Sequence, residues 1–182
     1  MKYEVEQKFR VDDLSALLHM LQQRNLALGE PIEQVDRYFN HPSRDFAQTD
    51  EALRIRSVGD RNWMTFKGPK LAGATKTRRE LEFPIADGHA AAEQMAELLQ
   101  LLSFRPTAVV RKRRQAVHLE QAGRAFEILL DHVDQVGQFV EIETLAEQDE
   151  LSAAQAALLA LAGEFGLGQP ERRSYLEMLL SR

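Results

Sequence analysis

The chain of 182 residues contains no cysteine. That absence removes disulfides, thiolate nucleophiles and zinc–thiolate sites at once. An excess of positive charge is also missing. The formal net charge is −5 and the pI about 5.6, so binding to nucleic acid through overall charge is not expected. No stretch approaches the ~20 apolar residues of a membrane span. The start, Met1 to Phe9, lacks the apolar run of a signal peptide. The expectation is a cytoplasmic protein that meets neither membrane nor nucleic acid. The five histidines (His19, His41, His89, His118, His132) lack metal-ligand spacing and read as surface or loop residues. Low-complexity tracts and linkers are absent as well. With 44% hydrophobic and 28% charged residues, 1–182 reads as a single globular domain with a substantial core.

The chain opens on a dense run of charge. If Met1 to Val11 is a strand, Glu4, Glu6, Lys8 and Arg10 share one face, and Tyr3, Val5, Gln7 and Phe9 the other. Such a charged face is costly against an apolar core. It must look into solvent or line an internal polar site, and for one isolated strand solvent is the default.

Period-two alternation recurs along the sequence. It predicts strands over 32–40, 52–58, 63–67, 78–85, 108–119, 125–133 and 139–144, eight in all with the first. Gly59-Asp60-Arg61-Asn62 and Gln121-Ala122-Gly123-Arg124 supply turn chemistry between two of the pairs. Helical spacing of apolar residues predicts helices after Asp12–Asp13, over 87–103, over 152–166 and over 173–180. Gly68 to Thr77 reads as a basic, glycine-containing mobile loop. Its Gly68-Pro69-Lys70-Leu71-Ala72-Gly73-Ala74-Thr75 stretch resembles a phosphate-binding loop superficially, but Ala74 stands where the lysine is needed. Closure of this loop over a substrate is an expectation from composition.

The first strand's peculiarity is repeated. Arg54 and Arg56 share a face, as do Arg78, Glu80 and Glu82, Arg111 and Arg113, Glu127 and Asp131, and Glu141 and Glu143; Lys67 ends its own strand. On this phasing Lys112 and Arg114 fall on the opposite, solvated face. Glutamate and arginine in i, i+2 pairs are more concentrated than ordinary solvated faces, which mix Ser, Thr, Gln and Lys. An α+β fold follows as the expectation: an eight-stranded antiparallel closed β-barrel with helices packed outside and a polar interior. Arginine and lysine offer charge-assisted bonds to phosphate oxygens. Clustered carboxylates repel each other unless they bind a hard cation, and Mg²⁺ suits carboxylates plus substrate phosphates. Together they describe a tunnel for a polyphosphate with a divalent metal.

These residues resemble the CYTH superfamily, named for class IV adenylate cyclase and thiamine triphosphatase and also called triphosphate tunnel metalloenzymes. Glu4-Val5-Glu6-Gln7-Lys8 matches its ExExK signature. The ordered segments Asp36-Arg37-Tyr38-Phe39, Leu53-Arg54-Ile55-Arg56, Thr65-Phe66-Lys67-Gly68, Arg79-Glu80-Leu81-Glu82, Val110-Arg111-Lys112-Arg113, Leu130-Asp131-His132-Val133, Phe139-Val140-Glu141-Ile142-Glu143 and Ser174-Tyr175-Leu176-Glu177 extend the likeness over residues 3 to about 180. The resemblance implies a triphosphate site with Mg²⁺ or Mn²⁺. Glu4, Glu6, Glu141, Glu143 and Asp131 would stand on the metal side, with Glu80 and Glu82 as further candidates. Lys8, Arg54, Arg56, Lys67, Arg111 and Arg113 would bind phosphates. Arg111 stands where many relatives have lysine.

The segment Asp36-x-Tyr38-Phe39, the Arg-Glu-Leu-Glu strand and the length resemble the class IV cyclase branch. The implied reaction is ATP to cyclic AMP and pyrophosphate, a lyase. The alternative is a hydrolase acting on inorganic tripolyphosphate or thiamine triphosphate; a non-catalytic polyphosphate- or nucleotide-binding module and a barrel with solvated charges are further readings. Glu4, Glu6 and Lys8 are the catalytic candidates, with Lys8 as general base or, alternatively, a salt-bridged structural residue. Trp63, Phe66 and Tyr38 are candidates to stack on a base or to pack in the core. Apolar faces of the outer helices serve either the barrel or a homodimer contact.

Overall fold

The computed structural model describes residues 3–71 and 75–181. Residues 1–2 of the expected first strand and 72–74 of the expected loop lie outside the described residues. Among the described residues, nine strands form one antiparallel sheet: β1 (Tyr3–Val11), β2 (Ile32–Asn40), β3 (Ala52–Val58), β4 (Arg61–Lys67), β5 (Lys76–Arg78), β6 (Glu80–Ile85), β7 (Arg105–Gln121), β8 (Arg124–Val133) and β9 (Gly137–Ala146). The α-helices among these residues are α1 (Ser15–Gln23), α2 (Phe46–Thr49), α3 (His89–Leu101), α4 (Leu151–Glu164) and α5 (Tyr175–Leu180). The strand order is β5-β1-β9-β8-β7-β2-β3-β4-β6.

Two expectations are corrected. The strand predicted over 78–85 is two strands, because Arg79 leaves the ladder and its carbonyl accepts from the Gly68 N–H at 2.9 Å. The stretch before it, including Lys76 and Thr77 of the expected loop, pairs with β1; the stretch after it pairs with β4. The expected closed eight-stranded barrel is therefore an open nine-stranded sheet, whose two edge strands are consecutive in the chain.

Alternation decides which side of the sheet is apolar. Val5 and Phe9 of β1 point outward with Val117, Ile128, Leu130, Val140 and Ile142, and are covered by Leu17 and Leu21 of α1 and Ala154, Leu158 and Leu161 of α4. Complete burial of a leucine such as Leu158 contributes roughly 1.5–3 kcal/mol. Helix α3 packs Ala92, Ala96 and Leu99 over Phe39, Ile55 and Met64. Helix α5 inserts Tyr175 and Met178 among Tyr38, Val110, Val133, Val136 and Phe139. Its start is fixed by a capping box, in which Ser174 Oγ accepts from the Glu177 N–H and the Glu177 side chain from the Ser174 N–H. Outward apolar residues leave the charged positions on the concave inner side.

The β7–β8 hairpin turns through Ala122 (φ 52°) and Gly123 (φ 73°), so Gln121 pairs with Arg124. Counting back along the pair places Arg114 opposite Asp131.

Candidate functional site

Side chains from all nine strands line a cavity of about 420 Å³, and α2 and α5 contribute at its ends. Its acidic corner is built on β1 and β9. Glu6 lies opposite Glu143 in the ladder and Lys8 opposite Glu141. One carboxylate oxygen each from Glu4, Glu6 and Glu143 lies within 4.8 Å of the others, a set of ligand atoms that can hold a metal ion. Burial, then the neighbouring Glu4 charge, push the Glu143 carboxyl well above the usual range, and Arg114 only partly offsets them. Burial also raises Glu4, against the pull of Lys67. Three hard oxygen donors that repel one another in a largely enclosed corner suit a hard divalent cation.

Cations surround this corner, each oriented by a carboxylate. Lys67 Nζ bridges Glu4 Oε2 at 2.7 Å and Glu80 Oε2 at 2.6 Å. Lys76 Nζ lies 3.3 Å from Glu6 Oε1. Asp36 receives a fork from Arg56, Nε to Oδ1 and Nη2 to Oδ2 both at 2.7 Å, and Arg54 Nη1 at 3.3 Å. Burial pushes the Asp36 carboxyl up, but Arg54 and Arg56 outweigh it and hold it well below the usual range. The same logic holds Asp131 low through Lys112 and Arg114, also against burial. Lys8 is 2% exposed, and its Nζ stands 3.6 Å from Glu141 Oε1. Burial lowers this amine to about 7; Glu141 opposes that shift and Lys76 adds to it.

The structure brings Glu4, Glu6, Lys8, Arg54, Arg56, Lys67, Glu80, Glu82, Glu141 and Glu143 into one cavity. It corrects the phasing of β7. Arg111 and Arg113, expected on the phosphate side, are exposed on the outer face. Lys112 and Arg114, expected in solvent, are 3% and 7% exposed and line the cavity. The reason is the register: Arg114 faces Asp131 across the hairpin, and its Nε and Nη2 reach Oδ1 and Oδ2 at 2.6 and 2.5 Å. Asp131 was expected on the metal side. It instead accepts from Arg114, from Lys112 Nζ at 3.1 Å and from the Tyr175 hydroxyl at 2.8 Å, so its oxygens are already engaged. Glu141 likewise accepts from Arg114 Nη2 at 2.5 Å and stands outside the three-carboxylate group.

Lys76 and Arg78 reach the cavity from β5. Among the described residues, Gln34 Oε1, Arg54 Nε and Arg78 Nε are buried without a hydrogen-bond partner. Each belongs to a side chain that lines the cavity, so the wall holds polar capacity that a ligand can satisfy. Trp63 and Phe66 do not line it; Tyr38 does, while packing in the core beside α5.

The CYTH domain family matches residues 2–175. Over 178 residues the chain is 32% identical to a protein from Methanocaldococcus jannaschii provisionally named an adenylate cyclase, an alignment covering 96% of this chain and 97% of that protein. The solved structure of the PH1819 protein from Pyrococcus horikoshii superposes with a TM-score of 0.85 at 37% identity, covering 98% of both chains. A protein from Hippeastrum, provisionally called an adenylyl cyclase and described as having a dominant triphosphatase activity, shares the fold at 18% identity and a TM-score of 0.68, over 100% of this chain and 96% of that one.

Proposed function

From the premise that this chain belongs to the CYTH domain family, we propose that it is a divalent-metal-dependent enzyme acting on a triphosphate in this cavity. The reaction we assign is cyclisation of ATP to cyclic AMP and pyrophosphate. The observation that carries the reading is the Glu4–Glu6–Glu143 group set against buried Lys8, Arg54, Lys67, Lys76, Arg78, Lys112 and Arg114 and half-buried Arg56. Carboxylates alone would suit a cation and guanidinium groups alone an anion; the two together suit a triphosphate bound with its metal. The cyclase assignment follows the name of the Methanocaldococcus relative.

Glu4, Glu6 and Glu143 would hold the ion, which when bound supplies Lewis acidity and neutralises phosphate charge. The protein's own part is positioning and electrostatics. Arg54 and Arg56 on one wall, and Lys112 and Arg114 on the other, are held by Asp36 and Asp131 and present fixed positive charge to the phosphate oxygens. In the neutral form that a value of about 7 makes accessible beside the ammonium form, Lys8 Nζ would take the proton of the attacking 3′-hydroxyl. If Lys8→Met lost affinity alone and kept full kcat, that role would be wrong.

A second reading is attack by water on the terminal phosphorus. It is supported by the lining itself: its charged groups address phosphate and metal, and the chemistry of inorganic triphosphate satisfies them as well as ATP does. Incubation with Mn²⁺ and either ATP or tripolyphosphate separates the two. Cyclic AMP with pyrophosphate supports the cyclase, and orthophosphate from tripolyphosphate supports the hydrolase. No product from either overturns the enzymatic reading.

A further inference from the structure

Tyr175 is the first residue of the short α5, and it enters the cavity between two lysines. Lys8 Nζ lies 4.0 Å from its ring centroid and Lys112 Nζ 5.0 Å. The ring is 7% exposed and is braced edge-on by Phe139, with centroids 5.1 Å apart. Its hydroxyl donates to Asp131 Oδ2 at 2.8 Å. Each restraint fixes a different degree of freedom: the Ser174–Glu177 capping box sets the helix start, Phe139 sets the ring plane, and Asp131 sets its tip.

Lys8 needs such a neighbour more than Lys112 does. Lys112 Nζ has a hydrogen-bonded carboxylate, Asp131, at 3.1 Å. Lys8 has Glu141 at 3.6 Å, beyond good hydrogen-bond length, and that carboxylate is already bonded to Arg114. An ammonium group over an aromatic face gains electrostatic energy from the ring quadrupole, more so when water is excluded. Phe139 adds little at 6.0 Å from the same nitrogen.

We propose that Tyr175 is a positioning residue that holds the Lys8 ammonium group aimed into the cavity, through its ring face rather than its hydroxyl. The inference rests on the triphosphate reading for its consequence but not for its geometry. Two measurements separate those layers. In the unliganded wild-type protein, the Lys8 ε-methylene protons should resonate upfield of ordinary lysine, because they lie over the ring; an ordinary position overturns the proposal even if triphosphate binds. A calorimetric double-mutant cycle with inorganic tripolyphosphate then tests the consequence. Tyr175→Leu should weaken affinity by about ten- to thirtyfold with Lys8 present, the equivalent of a desolvated cation–π contact. In the Lys8→Met background the same change should cost less than about twofold. Tyr175→Phe, which keeps the ring, should stay near wild type. Equal losses in both backgrounds, or a Tyr175→Phe loss as large as that of Tyr175→Leu, overturn the proposal. Absence of tripolyphosphate binding by the wild-type protein counts against the triphosphate reading instead.

Discussion

Asp36 carries the clearest energetic consequence of a single side chain in this molecule. It is 2% exposed and pairs with both Arg54 and Arg56. Asp36→Ala leaves two guanidinium groups without their shared carboxylate, and breaking a buried pair of this kind costs about 3–5 kcal/mol. Urea unfolding at pH 7 should show that loss. Because the folded-state carboxyl is held low, its contribution is fully present above the unfolded value of about 3.9 and declines as pH falls below it. The stability gap between wild type and Asp36→Ala should therefore narrow on acidification, and a gap that widens contradicts the assignment.

The two faces of β7 give a paired test at the same scale. Arg111→Ser and Arg113→Ser should change stability by less than about 0.5 kcal/mol, as exposed substitutions do, and leave substrate KM unaltered. Lys112→Met should raise KM while the circular dichroism spectrum is kept. Residue types on this strand are plain in the sequence, but four consecutive basic residues, Arg111 to Arg114, make the alternation ambiguous. The information that resolves it lies across the hairpin. A two-residue turn at Ala122-Gly123 pairs Gln121 with Arg124, and stepping back along the ladder sets Arg114 against Asp131. Asp131 was expected on the metal side; its actual role, holding Arg114 and Lys112, follows from the turn.

Elements differ in how firmly the sequence dictates them. The long helix α4 is legible from its Ala/Leu content, and its buried Leu158 sits in the largest apolar cluster. Leu158→Ala should cost about 2–5 kcal/mol in global unfolding, since the core cannot collapse fully around the lost methylenes. The β7–β8 turn is also legible, yet its first central residue is Ala122 with φ 52°. Asparagine tolerates that region better, so Ala122→Asn should raise stability by about 1 kcal/mol, read as a higher denaturation midpoint with unchanged slope. Strand β5 is the least legible element. It has three residues, Lys76–Arg78, no apolar alternation, and pairs with β1 only. Its identity comes from long-range contacts: Lys76 with Glu6, and Thr77 Oγ1, which accepts from Gln155 Nε2 of α4 at 3.1 Å.

At the scale of the whole molecule, the charged inner faces found strand by strand converge on one cavity. Periodicity revealed which residues are polar-faced, and the repetition of that feature suggested enclosure. It could not reveal that the ladder opens at Arg79, because that depends on a single carbonyl turned toward Gly68. Among the described residues no helix is long and apolar enough to cross a membrane. The proposed function places its divalent cation at the Glu4–Glu6–Glu143 corner, where three carboxylate oxygens converge. Titration calorimetry of tripolyphosphate into the protein, with Mn²⁺ and again with a chelator, tests that claim most directly. The account predicts a single site whose affinity falls sharply on chelation, loses that metal dependence in Glu143→Gln, and is untouched in Arg111→Ser. Affinity indifferent to Mn²⁺, or no binding heat at all, would contradict it.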